Sequence, residues 1–283
     1  MTLISAPELV ELLDSDASVV VLDVRWSLAA PDGRAAYEAG HIADAVYVDL
    51  EADLSDHTIT GRGRHPLPTG TALQASLRRW GVDDGGTVVV YDDWNRAGSA
   101  RAWWVLRAAG LNDVQILDGG WTSWLAADGG VETGARSAAE GSVTVRHDDL
   151  YTGALPTLTA AEAAIRARDG VLLDARAPER YRGEVEPVDA VAGHIPGAVN
   201  LPSTAVLRED GTFADAEKLR ALFGERGADH TRTIGAYCGS GVTASVLAAA
   251  ADQAGLDLEL FPGSWSQWSS ASENPIETGD ESN

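Results

Sequence analysis

The chain is written twice, and that duplication is its strongest constraint. Ser5-Ala6-Pro7-Glu8 and Thr159-Ala160-Ala161-Glu162 are both capping boxes, in which a hydroxyl and a glutamate three residues later satisfy the free N–H groups of a helix start. Val19-Val20-Val21-Leu22-Asp23-Val24-Arg25 returns as Val171-Leu172-Leu173-Asp174-Ala175-Arg176, and Gly40-His41-Ile42 returns as Gly193-His194-Ile195. Leu117-Asp118-Gly119-Gly120-Trp121-Thr122-Ser123-Trp124 returns as Phe261-Pro262-Gly263-Ser264-Trp265-Ser266-Gln267-Trp268, and Glu132-Thr133-Gly134 as Glu277-Thr278-Gly279. A spacing of about 145 to 154 residues is the length of a domain, not of a solenoid repeat. Each half must therefore close a core of its own, and 283 residues suffice for two.

Within each half, apolar runs of strand length alternate with helical stretches. Runs such as Val19–Leu22 and Val88–Tyr91 carry no polar alternation, which suits strands buried on both faces. The expectation is an α/β fold, with βαβ units building a central parallel sheet with helices on both faces in each half. We place the first domain at residues 1–140, a polar, glycine-containing linker at 141–156 and the second domain at 157–283, with a frayed tail at Asp280-Glu281-Ser282-Asn283.

The net charge of −22 argues against a nucleic-acid or acidic-membrane partner. It also repels small anions at long range, so an anion site needs a local cluster of arginines. One cysteine rules out an intramolecular disulfide and fits a reducing compartment. The N-terminus runs straight into a helix start, without a basic segment or a long apolar run, and no stretch has the length of a membrane span. A cytoplasmic protein is expected.

That cysteine stands in Tyr237-Cys238-Gly239-Ser240-Gly241-Val242-Thr243-Ala244, after a predicted strand (Thr233–Tyr237) and before a predicted helix (from Ala244). Gly239 and Gly241 let the backbone turn tightly and aim N–H groups inward, and the helix adds the positive end of its dipole. Such a ring favours an anion, here the cysteine's own thiolate, a nucleophile near neutral pH. The matching position in the first half is Asp92, in Tyr91-Asp92-Asp93-Trp94-Asn95-Arg96, which cannot carry sulfur. The first half is expected to be non-catalytic.

The Cys-Gly-Ser-Gly-Val-Thr-Ala loop resembles the active-site loop of the rhodanese superfamily. It is more similar to the 3-mercaptopyruvate sulfurtransferase branch than to the thiosulfate branch, whose loop carries basic residues after the cysteine. With the repeated segments, the resemblance covers nearly the whole chain and implies tandem rhodanese-like domains. It further implies that Cys238 takes a sulfane sulfur from a small anionic donor as a persulfide and passes it to a thiol, cyanide or a thioredoxin-like acceptor. No metal or organic cofactor is implied.

The same resemblance assigns the surrounding residues. Gly239, Gly241, Val242 and Thr243 form the loop that binds the substrate's reacting end, and Arg180 reaches its anionic group, for which a guanidinium fork is suited. Ser240 matches a loop serine that works with a histidine and an acidic residue of the first domain, which fall on His65 and Glu51, with Asp49 near the latter. A second substrate arginine, common in mercaptopyruvate enzymes just before Gly-His-Ile, is absent: the chain reads Glu186-Pro187-Val188-Asp189. Thiosulfate therefore stays open as the donor, as does a carrier role in which the persulfide goes to a partner protein.

A cysteine phosphatase or arsenate reductase would need an arginine six residues after the cysteine, where this chain has Ala244. Arg176 reads as the ion partner of Asp174, Arg182 as solvated, and the repeated His41 and His194 as structural. Most of the tryptophans fall at helical or repeat-matched spacing and are expected in the core. Trp94 is the exception, since it stands on the loop equivalent to that of Cys238.

Overall fold

The computed structural model describes residues 2–280, so the tail expected beyond Asp280 lies outside the described residues. Two compact units divide the chain. The first comprises Met1–Asp56, Leu67–Leu155 and Glu209–Phe213; the second comprises His57–Pro66, Pro156–Arg208 and Ala214–Asn283.

The first unit runs β1 (Leu3–Ile4), α1 (Ala6–Leu13), β2 (Val19–Asp23), α2 (Arg34–Ala39), β3 (His41–Ile42), β4 (Val46–Tyr47), α3 (Leu50–Asp53), α4 (Gly70–Arg79), β5 (Thr87–Tyr91), α5 (Ala97–Ala108), β6 (Val114–Leu117), α6 (Gly120–Ala126) and β7 (Val131–Glu132). Its main sheet has the order β1-β6-β5-β2-β4, with every pair parallel. Val21, Val89 and Tyr91 join Leu9 of α1 and Trp124 of α6 in one core, while α5 packs on β5 and β6. Both faces of the strands are thus filled, which is why their runs are apolar without alternation.

The second unit repeats the plan with α7 (Ala160–Asp169), β8 (Val171–Asp174), α8 (Pro178–Tyr181), β9 (Val199–Asn200), α9 (Ala216–Gly224), β10 (Ile234–Tyr237), α10 (Ala244–Ala254), β11 (Leu258–Leu260) and α11 (Ser264–Trp268). Its parallel sheet has the order β11-β10-β8-β9. Leu172, Tyr237, Phe261 and Trp265 form the core with Ala163 of α7, and α10 packs against α9, β10 and β11. The alanines of α10 keep it slim enough to be buried on nearly all sides, and Gly255, at φ +75°, ends it. Both capping boxes form, at Ser5 and at Thr159.

The repeat extends to single hydrogen bonds. His41 Nδ1 lies 2.9 Å from the Tyr37 carbonyl oxygen and its ring stacks on Tyr37 at 3.9 Å; His194 Nδ1 lies 2.8 Å from the Tyr181 carbonyl oxygen and stacks on Tyr181 at 3.8 Å. His41 pairs antiparallel with Glu132, and His194 with Glu277. These histidines therefore build the fold. Trp103, Trp104, Trp124, Trp265 and Trp268 are buried, and Trp94 is 37% exposed.

Besides Glu209–Phe213, which falls in the first unit, two longer segments depart from the expected boundaries. Residues 57–66 belong to the second unit, where Arg64 N–H donates to Ser266 Oγ at 3.0 Å and Gly63 packs on the Gly263 carbonyl. The expected linker 141–156 is strapped to the first unit almost to its end: Gly141 N–H donates to Arg78 O, Ser142 to Asp83 and Arg146 N–H to Ala109 O.

Candidate active site

β10 delivers Cys238 to the C-terminal edge of the second sheet, where a parallel α/β fold opens its loops. The loop is pinned on its outer side by the start of α11. Cys238 N–H donates to Ser264 Oγ (3.1 Å), Trp265 N–H to Cys238 O (3.0 Å) and Ser266 N–H to Gly239 O (2.9 Å). The inward turn falls on Gly241, at φ +80°, whose N–H donates to Cys238 Sγ at 3.1 Å. A β-carbon on Gly241 would stand 2.4 Å from the Pro262 carbonyl oxygen, so both the conformation and the close approach require glycine. Val242 is buried, and Thr243, in helical conformation with no side-chain cap bond, leads into α10.

The loop's serine faces a histidine. Ser240 Oγ and His65 Nδ1 share a hydrogen bond of 2.7 Å, with both residues only 5% exposed. Two guanidinium groups cover the residue between the cysteine and that serine. A β-carbon on Gly239 would meet Arg64 Nη2 at 3.1 Å and Arg180 Nη1 and Nη2 at 3.5 and 3.6 Å. Arg180, from α8, donates to Glu186 at 2.7 Å and stands 3.8 Å from Asp189, and Arg64 is bonded to the same Asp189. Burial pushes the Asp189 carboxyl up, against the pull of Arg64. Glu186 is held below the usual carboxylate range although burial opposes it, because the N–H groups of Asp189 and Val188 and the Arg180 guanidinium bond it. Arg176 is a fold residue: it is bidentate on Asp174, donates to Gly193 O at 2.7 Å and lies 4.7 Å over the Trp265 ring. Arg182 stands half-exposed on Glu184.

A cysteine whose sulfur accepts a loop N–H, a serine–histidine pair two residues on and two guanidinium groups over the residue between form one constellation. The sequence profile of the rhodanese-like domain matches residues 5–127 and 157–271. The chain belongs to the rhodanese family. SseB of Mycobacterium tuberculosis, provisionally named a thiosulfate sulfurtransferase, is 58% identical over 98% of this chain and 97% of its own. The 3-mercaptopyruvate sulfurtransferase of Escherichia coli is 35% identical over 97% of each chain. The crystal structure of SseA from Escherichia coli, described as a 3-mercaptopyruvate sulfotransferase, superposes with a TM-score of 0.81 at 32% identity over 94% of this chain and 100% of that one. This chain is accordingly a sulfurtransferase of two rhodanese-like domains, and among the described residues no helix is long and apolar enough to cross a membrane.

The first rhodanese-like domain fills its own loop. Asp92, at the place of Cys238, accepts from Ser99 N–H (2.8 Å) and Ser99 Oγ (2.7 Å) and pairs with Arg96 at 3.1 Å. The anion in that cradle is a fixed carboxylate. Glu51 lies in this domain on α3, where Trp26 Nε1–H donates to its Oε1 at 2.7 Å, whereas His65 lies with Ser240 in the second unit. Asp49 caps α3, accepting from the N–H groups of Glu51 and Ala52. Sequence reasoning missed Arg64, Asp189 and Ser264 as residues of the site. Arg64 had a signal: Arg62 and Arg64 stand two residues apart beside His65 in an otherwise acidic chain.

Proposed function

We propose that this rhodanese-family enzyme takes sulfur from 3-mercaptopyruvate onto Cys238 and delivers it to a thiol or cyanide. The Cys238 thiolate attacks the donor's sulfur. An S–S bond forms, the C–S bond breaks, and its electron pair leaves as the enolate of pyruvate, which takes up a proton. Ser240 and His65 are suited to supply that proton or to hold the departing oxygen, and the N–H groups of the loop carry the negative charge on sulfur. In the second half-reaction the acceptor attacks the outer sulfur of the persulfide and the Cys238 thiolate departs.

The observation that carries this reading is the Ser240–His65 hydrogen bond beside Cys238, in a loop with no basic residue from Gly239 to Ala244. An enolate leaving group needs a proton; sulfite, released from thiosulfate, does not. The second reading, thiosulfate as donor, is favoured by the 58% identity to the mycobacterial SseB. A thioredoxin-like acceptor and a reducing, cytoplasmic setting fit a persulfide that has no second cysteine in its chain to resolve it.

Steady-state sulfur transfer to cyanide tests the reading, with both donors compared and Cys238→Ser as control. The expected result is a kcat/KM preference for mercaptopyruvate that vanishes in Cys238→Ser. A preference for thiosulfate refutes the donor, and turnover that survives the substitution refutes the nucleophile.

A further inference from the structure

The two guanidinium groups over Gly239 belong to a linked cluster of three arginines and three carboxylates, and its members are not equally committed. Arg176 is locked on Asp174, only 1% exposed. Glu186 is locked as well: Arg180 bonds it at 2.7 Å, Arg176 stands at 3.5 Å, and the N–H groups of Val188 and Asp189 donate to it at 3.0 and 3.1 Å. Asp189 is different. Its Oδ1 is bonded to Arg64, but its buried Oδ2 accepts no hydrogen bond, and Arg180 Nη2 stands 3.8 Å from it. Arg180 Nε is buried without a hydrogen-bond partner too. A carboxylate taken out of water normally regains its hydration through several donors, and Asp189 does not.

Arg64 is also more than a latch for its segment. Residues 57–66 are already fastened by the Arg64 N–H to Ser266, by Gly63 on the Gly263 carbonyl and by the His65–Ser240 bond. The Arg64 side chain instead reaches Gly239, and its Nη2 and the Arg180 fork converge on that one residue.

We propose that Arg64 and Arg180 together form the site for the carboxylate of the sulfur donor, and that Asp189 holds that place until the donor displaces it. Arg64 is then a specificity-determining residue and Asp189 an internal competitor. The inference rests on the proposed function for its substrate class, a 2-oxo carboxylate, while the anion site itself can be tested without turnover.

Because Cys238 is the one cysteine, its alkylation can be followed on the intact protein by mass. Iodoacetate and iodoacetamide are close in size and differ by a carboxylate, so the ratio of their rates reads the anion site and cancels effects on the nucleophile. At physiological salt the bulk charge is screened and is nearly the same in all variants. Arg64→Ala is expected to lower the iodoacetate-to-iodoacetamide ratio at least tenfold, as loss of a charge-assisted bidentate contact should. Arg64→Lys, which keeps the charge without the fork, is expected to keep part of it, and Asp189→Asn to raise the ratio at least threefold. In turnover, Arg64→Ala is expected to raise KM for mercaptopyruvate more than it lowers kcat. An unchanged ratio in Arg64→Ala, or equal slowing of both reagents, overturns the site; a ratio that falls in Asp189→Asn overturns the place-holder role. If the ratios behave as expected but mercaptopyruvate is not turned over, the donor assignment fails and the anion site stands.

Discussion

Replacing Gly241 by alanine tests whether the loop geometry makes the thiolate reactive. The substitution has two costs. A left-handed conformation costs an L-residue about 1–2 kcal/mol, and φ at Gly241 is +80°. The new β-carbon would also stand 2.4 Å from the Pro262 carbonyl oxygen and 3.2 Å from its carbonyl carbon and Cα, backbone atoms that cannot rotate aside. Relieving that overlap moves the loop off the Pro262 turn by roughly 1 Å, and overpacking of this kind costs about 1–3 kcal/mol. The shift carries the Gly241 N–H away from Cys238 Sγ, where it now donates at 3.1 Å. A hydrogen bond to a charged group is worth about 1.5–3 kcal/mol, or roughly 10- to 100-fold in rate.

Gly255→Ala isolates the first cost, since φ there is +75° and no atom lies within 4 Å of its added carbon. In urea unfolding followed by tryptophan fluorescence, Gly255→Ala should lose about 1–2 kcal/mol and Gly241→Ala about 2–5 kcal/mol. Alkylation of Cys238 by iodoacetamide at pH 7 should be unchanged in the first and at least tenfold slower in the second. A Gly241→Ala protein no less stable than Gly255→Ala, with a labelling rate within twofold of the parent, would refute the argument.

Two further outcomes follow from single contacts. If Ser240 and His65 act as a unit, Ser240→Ala and His65→Ala should each slow mercaptopyruvate turnover by about 100-fold or more, and the double variant should be no slower than the worse single one; effects that multiply would show that the 2.7 Å bond is not used in the reaction. Asp23, paired with Arg25, has its carboxyl pushed up to about 6 by burial, so the folded state holds that proton more tightly than the unfolded chain. The stabilisation is full below the unfolded value near 3.8 and is lost as pH rises through 6, a swing of about 3 kcal/mol at most. Asp23→Asn should therefore gain stability relative to the parent between pH 4 and pH 7 in urea titrations, and a difference that does not change over that range would exclude this linkage.

What the sequence determined alone is what near neighbours along the chain determine. Ser5 and Thr159 cap their helices through a glutamate three residues away, the apolar runs of β2, β5, β8 and β10 declare strands covered on both faces, and the glycines after Cys238 make the turn that aims the Gly241 N–H at sulfur. Duplication then allowed each half to check the other, so that Asp92 stood out as the position where a nucleophile was missing. The tertiary structure decided whatever rests on residues far apart in the chain. Arg64 and His65 are more than a hundred residues from Gly239 and Ser240, and they join the second unit because Gly63 lets the segment lie against the Gly263 carbonyl, a close approach that no local pattern announces. Asp189 looked like a loss of positive charge in the sequence, yet it bonds Arg64 and stands 3.8 Å from Arg180. Charge read along a chain is a sum over neighbours in sequence, whereas the field at Cys238 is set by neighbours in space, and only folding makes the two comparable.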